Sequence, residues 1–481
     1  ESWKKCRSRL DLFLPKVMQK TGTKKHPTYP AVTDTIIALA TPVGESALAV
    51  IRISGQISST IGKQACNCIN PNPRNAYLVN YRSSDGEILD QVVITFFNKG
   101  NSYTGEDSLE ISCHGNPLIT EMICKDLINR GCRMAQPGEF TRQAFLNGKI
   151  DLPQAESVAQ IIAAKNEQSL ALAQRNLKGK LSDKLLSIQQ NILNLQASIE
   201  AHIDFPEDDL DESDQERVHQ NVTKIVKELE TLLLQANRTK LLTKNIKVVL
   251  TGLPNVGKSS LFNALAGKNR ALIHSESGTT RDYLEFDIKI GKYWITLVDT
   301  AGVHDAAEEI ELAGIEMSLE QAKEADLFLW VIDNSVPHPI ELPGEYTKLI
   351  RSKPTLLIRN KSDLGENNWV PDYNPPPKAT NISSIGKCGL KQLEELLLEI
   401  IRNMTGEGSE NEYLVGVRHE VLIKNCLDEL TRFLIESKNE VGDEIVSIHL
   451  TEARKKLDIM IGRKTNEDML DILFGEFCIG K

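Results

Sequence analysis

Gly252-Leu253-Pro254-Asn255-Val256-Gly257-Lys258-Ser259 is the stretch that decides the fold. It fits the pattern G-x-x-x-x-G-K-[ST], and its flanks are what that pattern requires. Ile246 to Thr251 (IKVVLT) is apolar and β-branched and reads as a buried strand, while Ser260 to Ala266 (SLFNALA) reads as a helix. Strand, glycine loop and helix bring backbone N–H groups to a helix N-terminus, where they converge on phosphates. Lacking Cβ atoms, Gly252 and Gly257 let that backbone curl. Lys258 is then placed to reach the β- and γ-phosphates, and the Ser259 hydroxyl to ligate Mg²⁺.

Further pieces follow in a matching order. Asp299-Thr300-Ala301-Gly302 ends the β-rich run Tyr293 to Val298, where an Asp can hold Mg²⁺ through water. Asn360-Lys361-Ser362-Asp363 follows the strand-like Thr355 to Arg359. There the Asp363 carboxylate can accept two N–H bonds from a guanine edge, a donor pair that adenine lacks. Ser383-Ser384 stands where the guanine carbonyl would be supported, and Gly278-Thr279-Thr280 where a switch loop would close Thr280 on Mg²⁺. The expected GTP contacts are therefore Asn255, Val256, Gly257, Lys258, Ser259, Ser260, Gly278, Thr279, Thr280, Asp299, Thr300, Ala301, Gly302, Asn360, Lys361, Asp363, Ser383 and Ser384. The unit reads as a GTPase domain.

At 481 residues the chain is too long for one core and implies about three domains. A net charge of −10 argues against a broad nucleic-acid-coating surface, so any RNA contact is expected to be a local patch. The nine cysteines are scattered without a paired-ligand spacing, as in a reducing compartment. No apolar run of about 18 residues occurs, so no membrane span is expected. Residues 1–32 read as a poorly ordered leader. Its first thirty residues hold eight Lys/Arg against two acids, which leaves a cytoplasmic protein or an organellar, mitochondrial transit segment both open.

The rest is read as a multidomain chain: an α+β unit over 33–150, helices over 151–244, an inserted α/β P-loop unit over 245–405, and helices again over 406–481. In the first unit, strands are expected at Thr35 to Ala40, Ala47 to Ser54, Gln91 to Phe97 and Ser108 to Ser112, with helices at Leu118 to Arg130 and Phe140 to Asn147. Helical spacing continues through Ala155 to Ala173, Leu177 to Ile203 and Val218 to Ala236, and later through Arg418 to Ser437, Val441 to Met460 and Asp468 to Cys478. Helices on both sides of a complete α/β unit suggest an insertion into one helical domain built from two segments.

Several blocks outside the P-loop unit carry a resemblance: Ser102-Tyr103-Thr104-Gly105-Glu106-Asp107, Pro137-Gly138-Glu139-Phe140-Thr141-Arg142, Phe145-Leu146-Asn147-Gly148-Lys149, Ile203-Asp204-Phe205-Pro206-Glu207 and the terminal Phe477-Cys478-Ile479-Gly480-Lys481. With G-T-T-R-D and D-T-A-G, the chain from Asp34 onward resembles the MnmE (TrmE) family of tRNA modification GTPases. The resemblance implies a folate-binding, dimerising N-terminal domain, a homodimer, and an FAD-dependent partner, MnmG (GidA), in a heterotetramer-type complex acting on tRNA. It implies modification of C5 of a wobble uridine by an aminomethyl or carboxymethylaminomethyl group. The one-carbon unit would come from a tetrahydrofolate derivative, 5-formyl- or 5,10-methylene-tetrahydrofolate. By motif position its contacts would be Arg52, Glu110, Lys149 and Lys481. Cys478 resembles the family's functional cysteine, with a packed thiol as the other reading.

Val303 stands where many GTPases carry a water-orienting Gln, so another residue must do that work. The resemblance points to Glu311, with Glu308, Glu309 and Glu316 as solvated neighbours. It also implies K⁺ held by Asn255 and a switch loop containing His274, Glu276 and Thr279, supplying the charge an arginine finger supplies elsewhere. The catalytic group is thus Lys258, Thr280, Glu311 and Cys478. Three departures stand out. Gly44-Glu45-Ser46-Ala47 adds bulk beside the folate contacts, His274 and Glu276 alter the K⁺ loop, and His304 replaces a frequent Arg. Two competing functions remain at this point: a ribosome-assembly or signalling switch without folate chemistry, and a folate-dependent transferase acting alone.

Overall fold

A computed structural model describes residues 34–68, 71–204, 212–268, 284–299, 320–336, 344–365, 369–371, 375–386, 388–406, 413–439 and 442–480. The chain gathers into two compact units. One takes the described residues within Glu1–Ala159, Arg175–Val226 and Asn425–Lys481, the other those within Gln160–Gln174 and Lys227–Lys424.

The first unit holds a six-stranded sheet built from β1 (Ile36–Leu39), β2 (Ser46–Ser54), β3 (Ala76–Arg82), β4 (Ile88–Phe97), β5 (Ser108–Gly115) and β6 (Arg133–Met134), in the order β3-β4-β5-β2-β1-β6. All pairs are antiparallel except β1 with β6. Alternation along β2 sorts its side chains: Ala49, Ile51 and Ile53 enter a core with Ile61, Ile123 and Leu127 of two covering helices. Arg52 and Ser54 point to the opposite face, as do their register partners Glu110 and Ser108 on β5. That second face is covered by Phe140 and Ala135.

Two long helices of this unit, Lys180–Asp204 and Asp443–Ile461, pack antiparallel. Gln196 Nε2 donates to Thr451 Oγ1 at 2.7 Å, and Gln189 Nε2 to the buried Asp458, while Arg463 Nη1 reaches Gln189 Oε1 at 2.9 Å. The last helix, Glu467–Gly475, presents Leu470 and Phe474 to Leu152 and Ala155, with Phe477 joining them. Helical structure therefore stops before Cys478, earlier than the spacing suggested.

The second unit holds β7 (Ile246–Thr251), β8 (Leu284–Ile290), β9 (Tyr293–Asp299), β10 (Leu327–Asp333), β11 (Thr355–Asn360) and β12 (Lys378–Asn381), in the order β12-β11-β10-β7-β9-β8. Only β8 with β9 is antiparallel. Its central strands are buried on both faces, as parallel sheets are. Val248 and Leu250 pack on one side with Leu265, Leu393 and Leu397; Val249 packs on the other with Phe328, Trp330 and Leu357.

The helix expected over Ala155 to Ala173 is two helices, Leu152–Ala163 and Glu167–Leu177. Asn166 starts the second: its Oδ1 accepts from Ser169 N at 2.8 Å, and its Nδ2 donates to Leu242 O at 2.8 Å. An Asn that satisfies an orphan N–H in this way is a preferred helix cap. Among the described residues no helix is long and apolar enough to cross a membrane.

Candidate functional site

The loop after β7 and the helix Lys258–Lys268 meet the carboxyl ends of β9, β10 and β11, where open parallel sheets place their ligands. Gly257 has φ +93, and a Cβ there would fall against Asn360 Nδ2, so only glycine allows the approach. The approach is used. Asn360 Nδ2 donates to Val256 O at 2.9 Å, and Asn360 Oδ1 accepts from Ser384 N at 3.1 Å and Ser384 Oγ at 2.8 Å. One buried carboxamide ties three loops together, and Ser362 N adds a bond to Ile382 O at 3.0 Å.

Lys258 is buried, and its Nζ donates to Gly252 O and Leu253 O at 2.8 Å each. Burial lowers its pKa against the opposing pull of Asp299. Ser259 Oγ donates to the fully buried Asp299 carboxylate at 2.8 Å. Hydroxyl and carboxylate oxygens so placed suit a hard cation such as Mg²⁺. Among the described residues, no group of three or more His, Cys, Asp or Glu is gathered to hold a metal. Asn255 is exposed at φ +62, a conformation asparagine tolerates better than most residues. Ser260 and Asp363 are exposed, and Ser383 is buried.

On the polar face of the other sheet, Arg52 Nε donates to Glu110 Oε1 at 3.0 Å, with Nη2 at 2.9 Å from the same oxygen. The guanidinium lies 5.9 Å from the ring centroids of both Tyr103 and Phe140. Tyr103 Oη is 2.9 Å from Thr141 Oγ1. Lys149 Nζ donates to Gly100 O at 2.7 Å. Cys478 is exposed, and its carbonyl accepts from Gly138 N at 3.4 Å. A carboxylate, a guanidinium and two rings on one face suit a flat, donor-rich heterocycle such as a pterin.

Residues 278–280, 300–302, His274, Glu276, Glu311 and Lys481 lie outside the described residues. Two groups were not anticipated from sequence. Asp333, at the end of β10, and Asn334 after it bond to the Asn360–Gly365 loop, and Ser335 bonds to Asp333. Ser54 Oγ lies 2.7 Å from Thr104 Oγ1 and donates to Glu106 Oε2 at 3.1 Å, beside Arg52 on the polar face. Burial raises the Glu106 pKa despite that bond. The apolar run before Asp333 was a usable signal for the first group. The second depends on a loop folding back over the sheet, which no local pattern announces.

A family model described as the MnmE helical domain matches residues 152–478, and one described as the GTP-binding protein TrmE N-terminus matches residues 35–149. The tRNA modification GTPase MnmE of Opitutus terrae is 41% identical over 455 residues, covering 94% of this chain and 100% of its own. That of Aquifex aeolicus is 39% identical over 449 residues, covering 93% and 99%. That of Pseudothermotoga lettingae is 35% identical over 462 residues, covering 93% and 100%.

Proposed function

The chain belongs to the MnmE family of tRNA modification GTPases and is a GTP hydrolase, and we propose that it is K⁺-stimulated and modifies C5 of the wobble uridine of certain tRNAs. It does so as a homodimer, with an FAD-dependent partner of the MnmG type and a tetrahydrofolate one-carbon unit. The observation that carries the nucleotide half is the Asn360 carboxamide, which joins the glycine loop to the Ser383-Ser384 loop and so sets phosphate and base subsites in one frame.

In this reading Lys258 turns its ammonium from the carbonyls of Gly252 and Leu253 to the β- and γ-phosphates. Ser259 and Thr280 would hold Mg²⁺, with Asp299 reaching it through water, and the ion when bound neutralises charge on the phosphate oxygens. Asp363 accepts from the guanine edge, with Lys361 beside it and Ser383 and Ser384 at the carbonyl. Asn255 holds K⁺ with the loop containing His274, Glu276 and Thr279, and Glu311 orients the attacking water.

Arg52, Glu110, Lys149 and Lys481 hold the tetrahydrofolate derivative. Supporting this is the pairing of Arg52 with Glu110 under two rings, a donor–acceptor edge ready to exchange its internal bonds for those of a pterin. Cys478 is tied by its backbone carbonyl to Gly138 and stands two residues before Gly480, whose carbonyl meets Arg52.

The test is GTP turnover in K⁺ against Na⁺ at equal ionic strength, for the unaltered chain and Asn255→Ala. Strong stimulation by K⁺ that disappears in the variant supports the cation-assisted mechanism. Equal rates in both salts leave a GTPase and sink that mechanism.

A further inference from the structure

The residues that hold Lys361 have no part in the reading above, yet they form a compact device. β10 ends at Asp333, opposite Asn360 in the parallel register with β11. Asp333 Oδ1 accepts from the Ser335 backbone N–H at 2.9 Å and from its hydroxyl at 2.6 Å. Asp333 Oδ2 accepts from Lys361 Nζ at 2.7 Å. Next in the chain, Asn334 N–H donates to Asn360 O at 2.8 Å, and Asn334 Nδ2 to Gly365 O at 2.6 Å. Two consecutive residues therefore grip the Asn360–Gly365 loop, Asn334 at its start and far end and Asp333 at the tip of Lys361, while Ser335 braces Asp333.

Lys361 stands at φ +62, the left-handed region that a lysine seldom occupies, and such a conformation persists only where its surroundings over-determine it. The Lys361 and Asp333 side chains are 31% and 17% exposed, so the pair is more than a screened surface contact. Ser335 holds Oδ1 of the carboxylate with two bonds and so orients Oδ2 toward the lysine.

We propose that Asp333 is a positioning residue for the guanine base. By holding Lys361, while Asn334 holds the loop ends, it sets where the Lys361 stem and the Asp363 carboxylate meet the ring, and so sets nucleotide affinity and base discrimination. The proposal rests on the reading of this site as a GTP site. A two-bond match to the N1–H and N2–H₂ edge depends on the acceptor's placement. A tethered lysine also presents its methylene stem as an apolar ledge with its rotamer entropy already lost, so less is lost on binding.

The experiment uses the full chain and four variants: Asp333→Asn, Asp333→Ala, Lys361→Met and the double variant Asp333→Asn/Lys361→Met. Steady-state turnover of GTP and of ITP, which lacks the 2-amino group, is measured with release of a fluorescent GDP and melting temperature. Asp333→Asn is expected to raise KM for GTP and speed GDP release about 10- to 100-fold. Its kcat should change by less than about threefold. The preference for GTP over ITP should shrink, and adding Asp333→Asn to Lys361→Met should change nothing further. Unchanged KM and GDP release overturn the proposal. So does a lower kcat and melting temperature at constant KM, or additive effects in the double variant. Absence of GTP turnover in the unaltered chain overturns the reading of the site itself, and this proposal with it.

Discussion

Arg52 Nη1 donates to the backbone carbonyl of Gly480 at 3.3 Å, which joins β2 to the last described residue of the chain. The same guanidinium keeps its other nitrogens on Glu110. The C-terminal tail is thereby seated on the polar face of the N-terminal sheet through Gly480, two residues after Cys478. Packing supports the seat from behind: the rings of Phe474 and Phe477 lie 5.3 Å apart, and those of Phe145 and Phe474 6.5 Å apart.

The seat is tight at its end. Gly480 has φ +92, and a Cβ there would lie 2.9 Å from Leu39 O and 3.0 Å from Ala40 Cα, both backbone atoms of β1 and its exit. Gly480→Ala should lift the tail at a cost of about 1–3 kcal/mol. Carboxypeptidase should then trim the tail faster, tRNA modification should fall, and GTP turnover should stay within about twofold of the unaltered chain.

Removing one partner of the half-buried pair should be costly. Arg52→Ala leaves the Glu110 carboxylate without its fork, and binding of 5-formyl-tetrahydrofolate, followed by calorimetry, should weaken about 10- to 100-fold. Arg52→Lys should not restore it, because a lysine cannot present the planar pair of donors. The KM for GTP should be unchanged in both.

Asn360→Ala deletes three bonds and leaves Val256 O and the Ser384 N–H without that partner. At about 1–3 kcal/mol for each buried group left unsatisfied, affinity for a fluorescent GTP analogue should fall by at least about 100-fold.

One stability effect depends on pH. His449 sits between two carboxylates, its Nδ1 2.8 Å from Glu429 Oε2 and its Nε2 3.0 Å from Glu436 Oε2. Burial disfavours the charged ring, but the hydrogen bonds to Glu429 and Glu436 outweigh it, and the pKa is raised above its ordinary 6.5. A folded value above the unfolded one means the stabilisation is complete below about pH 6.5 and is lost as pH climbs through the folded value. His449→Gln should therefore lower the melting temperature by roughly 2–5 °C in mild acid, and the gap should close in alkaline buffer. A gap that widens with rising pH would contradict the assignment of charge.

Much of this was legible in the sequence because the relevant patterns are local. The strand before Gly252, the helix after it and the strand before Asn360 stand at their expected places, since a buried parallel strand is written as an unbroken apolar run. β3 is not announced by A-Y-L-V-N-Y-R because its burial alternates but its polarity does not: Tyr77, Val79 and Tyr81 face the core, yet the apolar Ala76 and Leu78 lie on the exposed side. β6 has two residues, too few for any period. Asn166 interrupts a helix that its apolar spacing would have continued: its side chain caps the second helix at Ser169 N and also meets Leu242 O, a partner far away in sequence. The Asp333–Lys361 pair escaped for a similar reason, because its partners meet only through the register of β10 and β11.

The most direct test of the account joins hydrolysis to modification. The purified chain, its FAD-dependent partner, a tetrahydrofolate one-carbon donor and tRNA lacking the modification are incubated with GTP or with a non-hydrolysable analogue, and the wobble nucleoside is identified by mass spectrometry. The account predicts a C5-modified uridine with GTP and none with the analogue. Equal modification with both nucleotides, or none with either, would contradict it.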